Sequence, residues 1–420
     1  MDVCIIGCGN QGGCFGALLA MEEEVGRVVL ADMDVEQARH VKQLIHEIGG
    51  KASQTIVETA SVNAMDPKDV AKVAENCNFI FNGILPFCNL AVMQGALLAG
   101  AHYMDLYALS SDLEGTRYEE TVEAQMELDQ KFKDAGLTAF LSQGVSPGWV
   151  NLASKYITDQ MDEVDEIGVR SITWLEATDI VAMGPPVLSI EMTLHLEPPS
   201  YYKDGVIVPL DDELVFAEEF QFPKPAGTKK IFMESVSCVE ALIRKFTDKP
   251  VHRIYHRGGI FSGTSDIKDV IFQAVRKQVI EHPQREMLNL KEALASSLKP
   301  MANVDYKAMV EAGELINGAD TAAVIVYGKK KGQKVRHEMT FNSTLHEAIK
   351  HLSWAGNGAY STVGSLPIIL AGMLMRGEFT RTGVIAPGLL EEPEMIFRKL
   401  EERGHILGEK IERYTCMDMQ

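Results

Sequence analysis

The sequence predicts an α/β protein: an N-terminal parallel, doubly wound domain followed by a second, mixed α+β domain. Three observations predict it. Residues 1–145 alternate short apolar runs with helical stretches. A glycine-rich turn, Gly7-Cys8-Gly9-Asn10-Gln11-Gly12, falls between the first strand and the first helix. After Gln143-Gly144-Val145-Ser146-Pro147-Gly148 the pattern shifts to short alternating runs broken by Gly184-Pro185-Pro186 and Pro198-Pro199.

The elements follow in order. An apolar strand at 3–6 leads through the glycine turn into a helix at 13–22 carrying Cys14, Phe15, Leu18 and Leu19. Residues 27–32 form the second strand. A helix over 35–47 places Ala38, Val41, Leu44, Ile45 and Ile48 on one stripe. A strand near Ser61-Val62 precedes Met65-Asp66-Pro67, where Pro67 opens a helix through Ala74. Strand four is 79–82, and Gly100 stops the apolar helix at 88–98. Strand five is 102–106, a helix covers 118–133, and strand six is 137–141. Six such strands complete a Rossmann dinucleotide-binding domain over 1–145. Residues 146–350 read as the α+β domain, with Lys329-Lys330-Lys331-Gly332 as a solvated hairpin tip. Residues 351–420 read as helices.

At 420 residues the chain is long enough for two domains with separate cores. A formal charge of −19 argues against nucleic acid and anionic membrane surfaces as partners and is compatible with a cationic substrate. The seven cysteines form no C-x-x-C pair, so neither a disulfide framework nor a metal site is expected. Reduced thiols and the lack of a basic leader point to the cytoplasm. The longest apolar run, near 366–374, is too short to span a bilayer.

The glycine turn carries the first chemical expectation. Gly7 allows the tight turn, Gly9 lets backbone approach a pyrophosphate, and Gly12 lets helix pack on strand. The amides of Asn10 and Gln11 then lie at the positive end of the helix dipole. Asp32, at the end of the second strand, would accept hydrogen bonds from both ribose hydroxyls. Met33 and Asp34 follow it with no adjacent cation, which favours NAD over NADP. Asp34 reads first as a helix N-cap. Ligands in such sheets lie beyond the carboxyl ends of the strands, which adds Asp66, Asn82, Leu85 and Pro86 to the cofactor residues.

The same rule brings 105–107 and 143–148 towards the nicotinamide. Asp105 suits an ammonium group or a proton-transfer role, or else caps the turn at Ser110-Ser111-Asp112. Ser146, Gly148 and Asn151 mark a tight turn into a helix whose amides can receive a carboxylate, or a plain interdomain turn. No H-E-x-x-H motif and no Walker lysine occur. The eleven histidines are scattered and read as surface or core residues.

Several segments together resemble the saccharopine dehydrogenase-like family. They are the glycine turn, 28–32, 62–66, 81–86, Gly100-Ala101-His102-Tyr103-Met104-Asp105 and Gly144 to Asn151, with 161–168 and Ser189-Ile190-Glu191. Later matches are Asp204-Gly205, Gly364 to Pro367 and Gly383-Val384. The saccharopine reductases tend to carry Arg where this chain has Lys203, and Pro-Glu where it reads Ala386-Pro387-Gly388. The resemblance implies that the second domain lines the substrate cleft and mediates dimerisation, with C-terminal helices returning to the first domain. It also implies chemistry at a carbon–nitrogen bond. Asp105 and Glu191 would then hold the cationic amine, and Arg170 and Arg257 the substrate carboxylate. The resulting expectation is a homodimeric, NAD-dependent amino-acid dehydrogenase that deaminates the terminal amine of lysine or a similar diamino acid. Saccharopine or carboxynorspermidine dehydrogenase is the alternative, with a polyamine-type substrate in the second case. A catalytically silent NAD-binding regulator is the reading from another class.

Overall fold

The computed structural model describes residues 1–112, 116–178, 181–182, 199–210, 217–262, 265–266, 299–301 and 304–413. The first domain carries strands β1 (Asp2–Ile6), β2 (Arg27–Asp32), β3 (Ile56–Ser61), β4 (Phe79–Asn82), β5 (His102–Asp105) and β6 (Thr138–Phe140). All pair in parallel, and both faces of the sheet are covered. Val3 and Ile5 of β1 point into one apolar core, whereas Cys4 and Ile6 point into another. Period-2 alternation therefore buries every residue from Val3 to Ile6, as a parallel sheet flanked by helices requires. The order is β3-β2-β1-β4-β5-β6, and the switch between β1 and β4 sits at the glycine turn.

The second domain is built on a ten-stranded mixed sheet. Its long members are β7 (Glu163–Ala177), β13 (Val251–Ser262), β16 (Leu315–Lys330) and β17 (Gln333–Thr344). Shorter strands are β8 (Val181–Ala182), β9 (Ser200–Lys203), β10 (Val206–Pro209), β11 (Glu218–Gln221), β12 (Thr228–Met233), β14 (Ser265–Asp266) and β15 (Lys299–Pro300). The main path runs β10-β9-β13-β7-β16-β17, while β8 and β15 pair separately. The lysine-rich turn is the tip of the β16–β17 hairpin, with Lys331 and Gly332 in the left-handed region (φ 52° and 72°).

Two strands come from the segment expected to be wholly helical. β18 (Gly383–Ile385) extends the first sheet beside β6, and β19 (Ile406–Arg413) extends the second beside β17. Each is short or exposed, so local pattern does not announce it; the partner strand specifies it. The expected helix at 118–133 is also broken. Thr121 turns its hydroxyl to the Ala124 amide (3.2 Å) and so starts a new helix, Val122–Met126.

The apolar stretch Asn357–Met375 is long enough by length and composition to cross a bilayer, but most of it is buried inside the fold. It belongs to the core shared by both sheets, with Trp149, Ile167, Val324 and Phe341. Trp149, which opens the helix Trp149–Asp159 between the sheets, packs against Phe341 of β17 with ring centroids 5.5 Å apart and planes tilted at 43°. Phe341→Ala is expected to lower unfolding free energy by about 3–5 kcal/mol in a denaturant titration. A loss below about 1 kcal/mol would remove Phe341 from that joint core.

Candidate active site

The glycine turn is shaped for a ligand. Gly7 adopts φ +88°, and a Cβ there would collide with Ile84 at 2.2 Å. A Cβ on Gly12 would lie 1.8 Å from the Gly7 carbonyl, so the helix Asn10–Ala20 rests directly on the turn. A Cβ on Gly9 would meet nothing within 4 Å. Packing therefore does not explain that glycine; an incoming group does. Gly9 supplies no side-chain cap to the helix, and buried Asn10 Oδ1 and Gln11 Oε1 lack partners. Asp32 Oδ2 accepts from the Cys8 amide (2.7 Å) and Oδ1 from the Asp34 amide (2.9 Å), which fixes the carboxylate beside the turn. Asp34 in turn caps the next helix through the Glu36 amide (3.0 Å). Met33, Met65, Leu85, Phe87 and Tyr107 are exposed around the same carboxyl end of the sheet. Clustered exposed apolar groups there suit an adenine and a nicotinamide ring. These features fit a pyridine dinucleotide. Pro86 opens a short 3-10 turn behind Leu85. Asp66 caps the helix Pro67–Val73 through the Lys68 amide (3.0 Å), next to exposed Met65.

Beneath this rim lies a buried polar network. Asp105 is 1% exposed, and its Oδ1 accepts from the Ser142 amide (2.7 Å). Its Oδ2 accepts from Tyr103 Oη (3.0 Å) and Gln125 Nε2 (2.6 Å). Asn82 Nδ2 donates to Asn89 Oδ1 (2.8 Å) and to Tyr103 Oη (3.2 Å). Burial pushes the Asp105 carboxyl up to about 6, against the three donors that favour the charged form. The sequence places Asp105 either against the substrate or as a cap for the turn at Ser110-Ser111-Asp112. Both oxygens are instead occupied from within the first domain, so it positions the floor of the site.

Other expectations change as well. Gly148 N donates to Asn151 Oδ1 (3.0 Å), Trp149 N to the Gly144 carbonyl (3.0 Å) and Val150 N to the Val145 carbonyl (2.9 Å). The turn therefore has no free amide at these positions for a carboxylate. Gly144 to Gly148 also spells G-x-S-x-G, but Ser146 Oγ lacks a hydrogen-bond partner, so no base activates it. Asn151 Nδ2 holds the Val239 carbonyl (2.9 Å) and clips the turn to the helix Cys238–Phe246. Arg170 and Arg257 are register partners on β7 and β13 and both bond Glu218, on the sheet face turned away from the first domain. Their parity excludes them from the cleft. Glu191 lies outside the described residues.

The face turned towards the first domain holds residues that sequence reading passed over. Along it run His256, Ser171, Thr173 and Asp320, in register on β13, β7 and β16. Thr173 Oγ1 donates to Asp320 Oδ1 (2.8 Å), and Ser361 Oγ donates to Oδ2. Loss of water pushes the Asp320 carboxyl up to about 6. Ser361 belongs to the helix Asn357–Val363, whose Thr362 methyl lies 3.3 Å from a Cβ position on Gly144. That helix thus bridges the second sheet to the turn after β6. His256 stood among eleven histidines with no neighbour in sequence to single it out.

Two outcomes test this geometry. Gly9→Val should keep the melting temperature and weaken NADH binding at least about tenfold, about 1.4 kcal/mol, in a fluorescence titration. Unchanged affinity would remove the turn from the site. Asp105 has a native pKa above its unfolded value, so its contribution is present at low pH and is lost as pH rises through about 6. Relative to Asp105→Asn, the parent protein should therefore gain about 1 kcal/mol of stability between pH 7 and pH 5. A pH-independent difference would contradict the buried assignment.

Residues 3–140 match the saccharopine dehydrogenase NADP binding domain family. Over nearly its whole length the chain is similar to carboxynorspermidine synthase of Vibrio cholerae, with 27% identity over 91% of each chain. It is also similar to carboxyaminopropylagmatine dehydrogenase of Synechocystis, with 23% identity over 96% of each. The structure superposes on saccharopine dehydrogenase (L-Glu forming) of Saccharomyces cerevisiae with a TM-score of 0.66, covering 98% of this chain and 99% of that one at 13% identity. That likeness shows the fold. The match over residues 3–140 makes the first domain similar to that family's nucleotide-binding domain, and the two-domain architecture is the fold of the yeast enzyme.

Proposed function

We propose that this protein is an NAD-dependent dehydrogenase of a carboxylated polyamine, acting at a secondary amine that joins two carbon chains. One observation carries the reading. The likeness to the two polyamine-named relatives spans 91% and 96% of the chain, so it includes the second domain and not the nucleotide-binding domain alone. Free lysine, expected from the sequence, yields to this substrate class, because the relatives' names give carboxylated aminopropyl compounds. A net charge of −19 is in keeping with a polycation.

A bound pyridine nucleotide supplies the two-electron exchange with the carbon attached to nitrogen. The chain's own residues bind, orient and handle protons. The amino end of the Asn10–Ala20 helix would hold the pyrophosphate, and Asp32 the ribose. The Asp105 network holds the ends of β4, β5 and β6 rigid beneath the reacting carbon. Asp320 is also held on both oxygens, by Thr173 and Ser361, but unlike Asp105 it is only partly buried, and with its carboxyl pushed up to about 6 it is the wall residue suited to hold the proton released at nitrogen.

NAD is assigned although the family description names NADP. Asp32 would repel a 2'-phosphate, positions 33–38 contain no cation, and Arg39 is paired with Glu36. In a cofactor-absorbance assay, carboxynorspermidine should be turned over with NAD at a kcat/KM about tenfold or more above lysine, saccharopine or the NADP reaction. Asp32→Ser with Met33→Arg should shift preference towards NADP. Turnover of lysine or saccharopine in preference to carboxynorspermidine would overturn the reading.

A further inference from the structure

We propose that a notch in the second sheet, centred on Gly258 and walled by His256, Ser171, Glu234 and Glu240, is the subsite for a second, non-reacting ammonium group of the substrate. The inference rests on the polyamine reading above. A polyamine carries several cationic nitrogens, and only the reacting one needs to lose its charge. Each of the others must keep a counter-charge when drawn from water, because burial of an unpaired ammonium is costly.

The notch is built from strand register. On β13, His256 and Gly258 share the face turned to the first domain, beside Val169 and Ser171 of β7. Gly258 pairs with Phe232 of β12, which puts Glu234, two residues on, over the same face. A Cβ on Gly258 would strike Glu234 Oε1 at 2.5 Å and the Ser171 carbonyl at 2.9 Å. Glycine in the interior of a long strand weakens it, so its presence there marks a close approach. The missing side chain lets the Glu234 carboxylate lie directly against the strand.

The polar groups around the notch are incompletely paired. His256 is 5% exposed; its Nε2 lies 2.7 Å from Ser171 Oγ, and its Nδ1 has no hydrogen-bond partner, with Glu234 Oε2 3.5 Å away. Glu240 is fully buried and close enough to His256 for the imidazole to favour its charged form against the effect of burial. Its Oε2 takes the Ser237 amide and hydroxyl (3.0 and 2.9 Å), but Oε1 has no partner. Among the described residues the cluster therefore sets two carboxylates against one imidazole. The far face of the same sheet is different: there Arg170 and Arg257 converge on Glu218, and Arg253 on Glu166, so each carboxylate meets a guanidinium. A cation entering the notch completes the near-face cluster in the same way.

The notch also adjoins the reaction floor. Glu240 lies in the first turn of the helix Cys238–Phe246. That helix is clipped to the Gly148 turn by Asn151 and touches the backbone of Ala108, just past β5. A flexible chain of methylenes can thus carry one nitrogen above the Asp105 floor and the next into the acidic notch.

The probe is norspermidine, titrated by calorimetry into the full chain saturated with NADH. Glu234→Gln changes a rim residue, and Glu240→Gln keeps the helix cap, since glutamine serves at that position. Each should weaken norspermidine binding about tenfold or more while NADH affinity and melting temperature hold. Parent-like affinity in either variant, or no norspermidine binding by the parent protein, overturns the subsite. The reaction is read separately. Carboxynorspermidine turnover with a KM insensitive to both variants leaves the reaction standing without the subsite. Norspermidine binding that depends on both glutamates, with no carbon–nitrogen turnover, leaves the subsite standing without the reaction.

Discussion

A buried carboxylate holds the working end of this protein in place. Asp105 is almost wholly removed from water, and such a group persists only when donors surround it. The donors come from separate parts of the chain: Tyr103 on β5, Gln125 on the helix Val122–Met126, and the Ser142 amide past β6. Satisfying all of them at once fixes the ends of β5 and β6 and the helix Val122–Met126 relative to one another. Asn82 and Asn89 extend the same constraint to β4, whose next residue, Gly83, touches the glycine turn. The floor beneath the dinucleotide is thus a single hydrogen-bonded plate.

The second sheet meets that plate with one face and turns its other face away. Register decides which side chains belong to which. Odd and even positions on β7 and β13 separate a paired guanidinium–carboxylate network on the far side from His256, Ser171, Thr173 and Asp320 on the near side. The far side stiffens a long strand array; the near side keeps polar groups without full complements. The proposed nucleotide chemistry on the plate and cation recognition on the wall rest on how the two domains face each other. The shared core, from Val3 through Phe341 to Leu400, keeps them in that relation.

The parts of this arrangement legible in the sequence are local ones. The glycine turn, Asp32 and the early strands are patterns a few residues long, and the chain folds them where those patterns stand. What escaped reading depends on distant partners. Asp105 was visible as a carboxylate at a strand end, but the groups that enclose it lie up to 37 residues away. Arg170 and Arg257 carried suitable charge, yet only pairing with Glu218 on one sheet face shows where they point. The turn at 144–148 offered amides on paper, and its own carbonyls and Asn151 had already taken them. β18 reaches its place beside β6 through a hydrogen bond spanning 243 residues, from Thr138 to the Arg381 carbonyl.

In the proposed complex the substrate nitrogen chain lies between the Asp105 floor and the near face of the second sheet. A crystal structure with NADH and norspermidine bound should show the pyrophosphate at the Gly7–Gly12 turn, the nicotinamide above Asn82 and Asp105, and one ammonium group within about 3 Å of Glu234 or Glu240. Amine density beside Arg170, Glu218 and Arg257 on the far face, or a dinucleotide seated away from the glycine turn, would contradict it.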